Sequence, residues 1–294
     1  MAEIPNDISI ELTYRCNYRC AWCYCGKNKA SELSVDDWLK ILQVCYDGGA
    51  RRLMLTGGEP SLYQGWRKIM NGALDIGYAS ISLFTNGSLL VEQDLSFLKS
   101  LNAYWAVSLS GRSQYEILTG ATVPYSDVLE KIRRSVELGV PVAVSSVFTA
   151  SNFDEMETLV ADCHEAGAYH VQLGFVMDSG RAKDNPELFL SPVNRKDVVS
   201  RYRRLRKDYP RKYISLSTEV ECSCRSRLGK CLSWFRGRRC VAGKKYAVIT
   251  PDGRMKPCFH ISDEDWWGCF SKEPILHQLN IGKRGMEEEN EKAG

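Results

Sequence analysis

Two hydrophobic rhythms alternate along the chain. Ile8-Ser9-Ile10-Glu11-Leu12-Thr13 alternates apolar and polar residues and contains β-branched side chains, which predicts a short strand. Ser34-Val35-Asp36-Asp37 then opens a helix, with Ser34 as N-cap and acids in the first turn. Trp38, Leu39, Ile41 and Leu42 give that helix an apolar face, and Gly48-Gly49 stops it. The same alternation continues with strands at 51–56, 80–84, 104–109, 141–148 and 169–176, and helices at 66–76, 92–100, 125–138 and 153–166. Gly77, Gly139 and Gly167 punctuate three of the helices.

Six strands alternating with five helices predict a parallel α/β sheet with right-handed crossovers, its working loops at the C-terminal ends of the strands. A closed barrel needs eight such units. Six imply an open, TIM-like (β/α)6 partial barrel over residues 1–190. A linking helix is expected over 191–212 and a small cysteine-rich C-terminal domain over 213–294.

Composition adds little until the cysteines are counted. With 44% apolar and 26% charged residues and a net charge of +3, the 294-residue chain is an ordinary globular one. It shows no strong pull toward nucleic acid, no apolar run of the roughly 18 residues that a membrane span requires, and no signal peptide. A cytoplasmic protein is expected, where twelve cysteines point to metal or redox chemistry more than to disulfides. Cys45 and Cys163 lie in helical patterns and read as small buried hydrophobes. The other ten fall in two groups, residues 16–25 and 222–269.

The first group, Cys16-Asn-Tyr-Arg-Cys20-Ala-Trp-Cys23, puts three thiols on the loop that leaves strand one. Three thiolates can hold three corners of an iron–sulfur cube and leave the fourth iron open. Cys25 could complete a zinc site, but Cys23-x-Cys25 is a poor zinc knuckle. Thr56-Gly57-Gly58-Glu59-Pro60 ends strand two, where two glycines admit a close ligand and a carboxylate can accept from an ammonium. Together the two motifs resemble the signature of the radical S-adenosylmethionine (SAM) enzymes. The resemblance implies that Cys16, Cys20 and Cys23 hold a [4Fe–4S] cluster. In that family SAM chelates the open iron, and one electron cleaves SAM to a 5′-deoxyadenosyl radical. It also implies that Gly57, Gly58 and Glu59 bind the methionyl amino group, that Thr85 and Asn86 lie near the methionine moiety, and that Ser108 bonds the ribose. The backbone of Trp22 would face the adenine, with Val147 and Gln172 as possible flanks. Many relatives carry Ser-Leu-Asp-Gly on strand four, where this chain has Ser108-Leu109-Ser110-Gly111.

Beyond strand six the helix from Val193 to Tyr209 is rich in arginine, which suits a solvated face better than an RNA site, since aromatic residues are not interleaved. In the second cysteine group, Tyr246–Thr250, the turn Pro251-Asp252-Gly253 and Arg254-Met255-Lys256 predict a hairpin. It would bring Cys240 and Cys258 together. The Cys240-x12-Gly253-x4-Cys258 spacing resembles the opening of SPASM and twitch domains, which carry auxiliary [4Fe–4S] clusters. The remaining ligands would come from Cys222, Cys224, Cys231 or Cys269, the upstream group being favoured; zinc is the alternative. Cys269, if it is no ligand, is the candidate hydrogen-atom donor to a substrate radical, and His260 a candidate acid/base.

The expected function is therefore that of a radical SAM oxidoreductase or epimerase. Its substrate would be a ribosomal peptide natural product, crosslinked or epimerised at Cα, or a small molecule such as a carbohydrate or aminoglycoside. An electron donor such as flavodoxin or ferredoxin is implied. Strand one begins so early that a leader-peptide recognition domain is expected to come from a separate partner. An iron–sulfur electron carrier or scaffold is the non-enzymatic reading, but it has no use for a SAM pocket.

Overall fold

A computed structural model of the chain describes residues 4–210, 212–217 and 242–260. In chain order its strands and α-helices are β1 (Asp7–Thr13), α1 (Val35–Asp47), β2 (Arg52–Gly57), α2 (Trp66–Ile76), β3 (Ser80–Thr85), α3 (Glu92–Ser100), β4 (Tyr104–Ser108), α4 (Tyr115–Thr119), α5 (Tyr125–Glu137), β5 (Val142–Phe148), α6 (Met156–Glu165), β6 (His170–Phe175), α7 (Pro192–Asp208), β7 (Ile214–Ser217), β8 (Tyr246–Ile249) and β9 (Met255–Lys256). The α/β alternation expected from the hydrophobic rhythms is the one found. Ser34 caps α1 by accepting from the Asp37 N–H at 3.1 Å.

Three elements differ from expectation. α4 and β7 are five and four residues long, too short to show a period. Phe153–Glu155 is a 3₁₀ turn ahead of α6, because the Asn152 side chain accepts from the Thr149 N–H at 2.7 Å and tightens the entry.

The chain divides into two compact units. The first comprises Met1–Arg15, Lys29–Ile81 and Ala242–Gly294, the second Cys16–Asn28 and Ser82–Val241. In the first unit β1 is central. It pairs in parallel with β2 on one side (Asp7↔Arg52 to Glu11↔Thr56) and with β8 on the other (Asp7↔Tyr246 to Ile10↔Ile249). β9 then runs antiparallel to β8, forming the expected hairpin. Ile8, Ile10 and Leu12 are fully buried, and so are Trp38, Ile41, Leu42 and Cys45 on α1. α1 packs against α2, with the Leu39 side chain seated over Gly72. In the second unit β4, β5, β6 and β7 pair successively in parallel, and residues Ser82–Thr85 of β3 pair with β4. Cys163 on α6 is fully buried, so both isolated cysteines are core residues. Burial pushes the Cys45 thiol up to about 12 and raises Cys163 likewise, which leaves both protonated.

The first unit buries one ion pair. Glu11 and Lys256 have side chains only 0% and 1% exposed and meet at 3.0 Å, and the Tyr14 hydroxyl donates to the same Glu11 Oε2 at 2.9 Å. Lys256 thereby ties β9 to β1. Because a charge left alone in such a place is costly, Lys256→Met is expected to destabilise the protein by about 3–5 kcal/mol, read as a lower urea midpoint. The Glu11→Leu/Lys256→Met double variant should recover most of that loss.

Candidate functional site

The cysteine loop belongs to the second unit, and its backbone groups are bonded to segments far along the chain. Arg19 N–H donates to the Thr119 carbonyl at 2.8 Å and Ala21 N–H to Leu118 at 2.9 Å. These carbonyls belong to the last turn of α4, where helical partners are lacking. On its other side, Arg181 Nε donates to the Cys20 carbonyl at 2.9 Å and the Arg181 N–H to Cys23 at 3.0 Å. Asn17 Nδ2 donates to Ser88 Oγ at 2.8 Å, and Asn86 Nδ2 donates to Asn17 Oδ1 at 2.9 Å. The sequence-predicted Asn86 is thus joined directly to the loop.

Cys16 is exposed, Cys20 and Cys23 are half-buried and Cys25 is buried. Burial, followed by the neighbouring Cys23 and Cys16 charges, pushes the Cys20 thiol up to about 12. Cys23 moves the other way, to about 6, chiefly through its hydrogen bond with Cys25. Their sulfurs are 3.6 Å apart. Among the described residues no three Cys, His, Asp or Glu side chains converge as ligands of a single ion. An iron–sulfur cube spreads its thiolates over separate corners, and three thiols on one loop fit that demand.

The Gly57–Pro60 turn belongs to the first unit and is bonded to the residues just before Cys16. Gly58 N–H donates to the Thr13 carbonyl at 2.7 Å and Glu59 N–H to Arg15 at 2.8 Å. Gly57 has φ +123°, and a Cβ on either glycine would run into the Thr13 or Arg15 carbonyl. Glu59 is fully buried, and its Oε1 accepts from both the N–H and the hydroxyl of Ser61, at 3.0 and 2.6 Å. Arg15 forms a two-bond fork with Glu32 at 2.7 and 2.9 Å. The chain passes from Arg15 directly into Cys16.

The other expected residues are found as follows. Thr85 is buried and accepts from the Gly87 N–H at 3.0 Å. Ser108 is half-buried at the end of β4. Ser110, which stands where many relatives have aspartate, is buried and accepts from the Val147 N–H at 2.8 Å, so it joins the ends of β4 and β5. Trp22 and Val147 pack against Leu118, Val176, Ala182 and Leu188, while Gln172 is exposed. Cys258 is buried after β9, and its sulfur accepts from the His260 N–H at 3.5 Å. Cys222, Cys224, Cys231, Cys240 and Cys269 lie outside the described residues. The arginines of α7 include Arg201, paired with Asp197 and Glu157 at 2.9 and 3.2 Å. Among the described residues no helix is long and apolar enough to cross a membrane. Sequence reasoning missed Arg181, Asn185 and the Cys23–Cys25 contact.

The α/β fold, the three-thiol loop of the second unit and the double-glycine turn of the first are the features of an iron–sulfur radical enzyme. The chain belongs to the radical SAM superfamily, whose family model matches residues 10–163. SAM and a [4Fe–4S] cluster are the cofactors of this class. One similar protein is the sporulation killing factor maturation protein SkfB of Bacillus subtilis, 28% identical over 62% of this chain and 45% of its own. Another is a probable GTP 3′,8-cyclase of Methanopyrus kandleri, 31% identical over 57% of this chain and 55% of its own. The chain thus spans about half the length of these curated relatives. Streptococcus suis SuiB bound to precursor peptide SuiA shares the fold with TM-score 0.69 and 14% identity, over 94% of this chain and 64% of SuiB.

Gly58→Ala is expected to lower stability by about 1–3 kcal/mol, because the Arg15 carbonyl must give way. In a binding titration SAM affinity should fall with it, while the circular-dichroism spectrum stays unchanged.

Proposed function

We propose that the chain is a radical SAM enzyme that crosslinks or epimerises a ribosomally made peptide in the cytoplasm. The observation that carries this is the bonding of Gly58 and Glu59 to Thr13 and Arg15, immediately ahead of the three-thiol loop. In this reading Cys16, Cys20 and Cys23 hold the [4Fe–4S] cluster. Gly57, Gly58 and Glu59 receive the methionyl amino group of SAM, Thr85 and Asn86 lie along its methionine, Ser108 takes the ribose and the Trp22 backbone faces the adenine. The bound cofactors supply a 5′-deoxyadenosyl radical that removes a hydrogen atom from a substrate carbon. The thiols, the glycine turn and the buried Glu59 bind and orient.

Residues 213–294 would hold an auxiliary [4Fe–4S] cluster through Cys240 and Cys258, completed from Cys222, Cys224 and Cys231. Cys269 would be the hydrogen-atom donor. A flavodoxin or ferredoxin would supply the electron, and a separate protein would present the leader peptide. The likeness to SkfB, a maturation protein for a killing factor, supports a peptide substrate. The likeness to a probable GTP 3′,8-cyclase favours the second reading, oxidation or epimerisation of a small molecule.

Anaerobic reconstitution should give a brown protein with about eight irons, four per cluster. Cys20→Ala is expected to abolish SAM cleavage. Cys258→Ala should retain uncoupled cleavage, measured as 5′-deoxyadenosine, yet form no modified peptide. Normal turnover by the Cys258→Ala variant would remove the auxiliary cluster from the mechanism.

A further inference from the structure

A short 3₁₀ segment, Gly180–Asp184, follows β6 and lies along the cysteine loop within the second unit. It meets the loop's carbonyls one after another. Arg181 donates from Nε to Cys20 at 2.9 Å, from its backbone N–H to Cys23 at 3.0 Å and from Nη1 to Gly26 at 3.2 Å. Asn185 Nδ2 donates to the Ala21 carbonyl at 3.3 Å and to the Arg181 carbonyl at 2.8 Å. Two glycines make the approach possible. A Cβ on Gly26 would overlap the Arg181 guanidinium, and a Cβ on Gly180, at φ +54°, would overlap the Cys23 and Tyr24 carbonyls. The segment is anchored by Ala182, fully buried in the cluster against which Ala21 and Trp22 pack.

These contacts exceed what closing a surface loop requires. Four carbonyls of the cysteine loop, at Cys20, Ala21, Cys23 and Gly26, accept from two side chains and one N–H of a segment more than 150 residues away. One donor is a permanent cation. We infer that residues 180–185 form a strap that holds the cysteine loop around its cluster, and that the Arg181 guanidinium raises the cluster's reduction potential. Arg181 is a positioning residue: it touches the loop backbone and acts on the cluster through it. The inference rests on the proposed assignment of Cys16, Cys20 and Cys23 as cluster ligands. The sign follows from charge. Reduction adds an electron to the cluster, a nearby cation stabilises the more negative form, and the potential rises.

The test uses anaerobically reconstituted full-length protein with Arg181→Gln, Arg181→Lys and Asn185→Ala. Two quantities are read. One is the midpoint potential of the EPR signal that SAM perturbs, and the other is the rate of iron loss to a chelator. Arg181→Gln should shift the potential to more negative values and speed iron loss by about tenfold or more. Arg181→Lys keeps the charge but not the planar fork. It should hold the potential near wild type and still lose iron faster. Asn185→Ala should change iron loss alone. Should Arg181→Gln fail to fold, the lysine and Asn185 variants still decide the strap. Wild-type potential in Arg181→Gln would overturn the electrostatic half, and wild-type iron retention in all three would overturn the strap. A wild-type protein that takes up no iron would sink the proposed function itself, an outcome distinct from either.

Discussion

Three sulfurs gathered on one short loop repel each other once ionised, and partial burial deprives their charges of water. Everything around residues 16–25 answers that constraint. Cys20 shows the cost, its thiol pushed up to about 12 by burial and by its two neighbours. Cys23 shows the remedy, held near 6 by a buried thiol at Cys25. A loop free to open would relieve the repulsion by separating the sulfurs. α4 on one side and residues 180–185 on the other prevent this through hydrogen bonds to the loop's backbone carbonyls and N–H groups. Metal ions invert the balance, since a coordinated thiol is deprotonated outright.

Sequence alone disclosed the parts that are local. α2 and α3 begin and end where their apolar periods do, and Ser34 caps α1 as its position suggests. The three-thiol and double-glycine motifs were legible because spacing along the chain is itself the signal. Arg181 was not. In sequence it belongs to a polar loop and looks like any solvated arginine, and its partners lie 155 and 161 residues away. Gly26 and Gly180 read as ordinary loop glycines until the two loops are seen to interdigitate. The hairpin of β8 and β9 was legible, but its attachment to β1 was not. A turn fixes its own two strands, whereas a parallel partner is fixed by the topology of the whole chain.

Ser110 illustrates how one substitution is absorbed. At this position the chain has a buried hydroxyl that accepts the Val147 N–H. A carboxylate at the same buried position would need a cation or several donors to offset its desolvation. The hydroxyl needs only the one N–H it has, and the β4 and β5 ends remain tied.

Within the first unit, β1 sets the register of the glycine turn and of the hairpin. Along one edge its Thr13 and the following Arg15 receive the N–H groups of Gly58 and Glu59. Along the other edge it pairs with β8, whose hairpin leads to Cys258, and Glu11 holds Lys256 of β9 in place. Its chain then continues straight into Cys16. A slip of one residue would turn Glu11 to the opposite face and break the buried pair. The same slip would move the Thr13 and Arg15 carbonyls away from the Gly58 and Glu59 N–H groups that donate to them. The ion pair is thus a register lock as much as a bond. Its energetic worth is a poor reason to keep two charges out of water, whereas fixing the register of β1 is a sufficient one, because the glycine turn and the hairpin both take their positions from that strand.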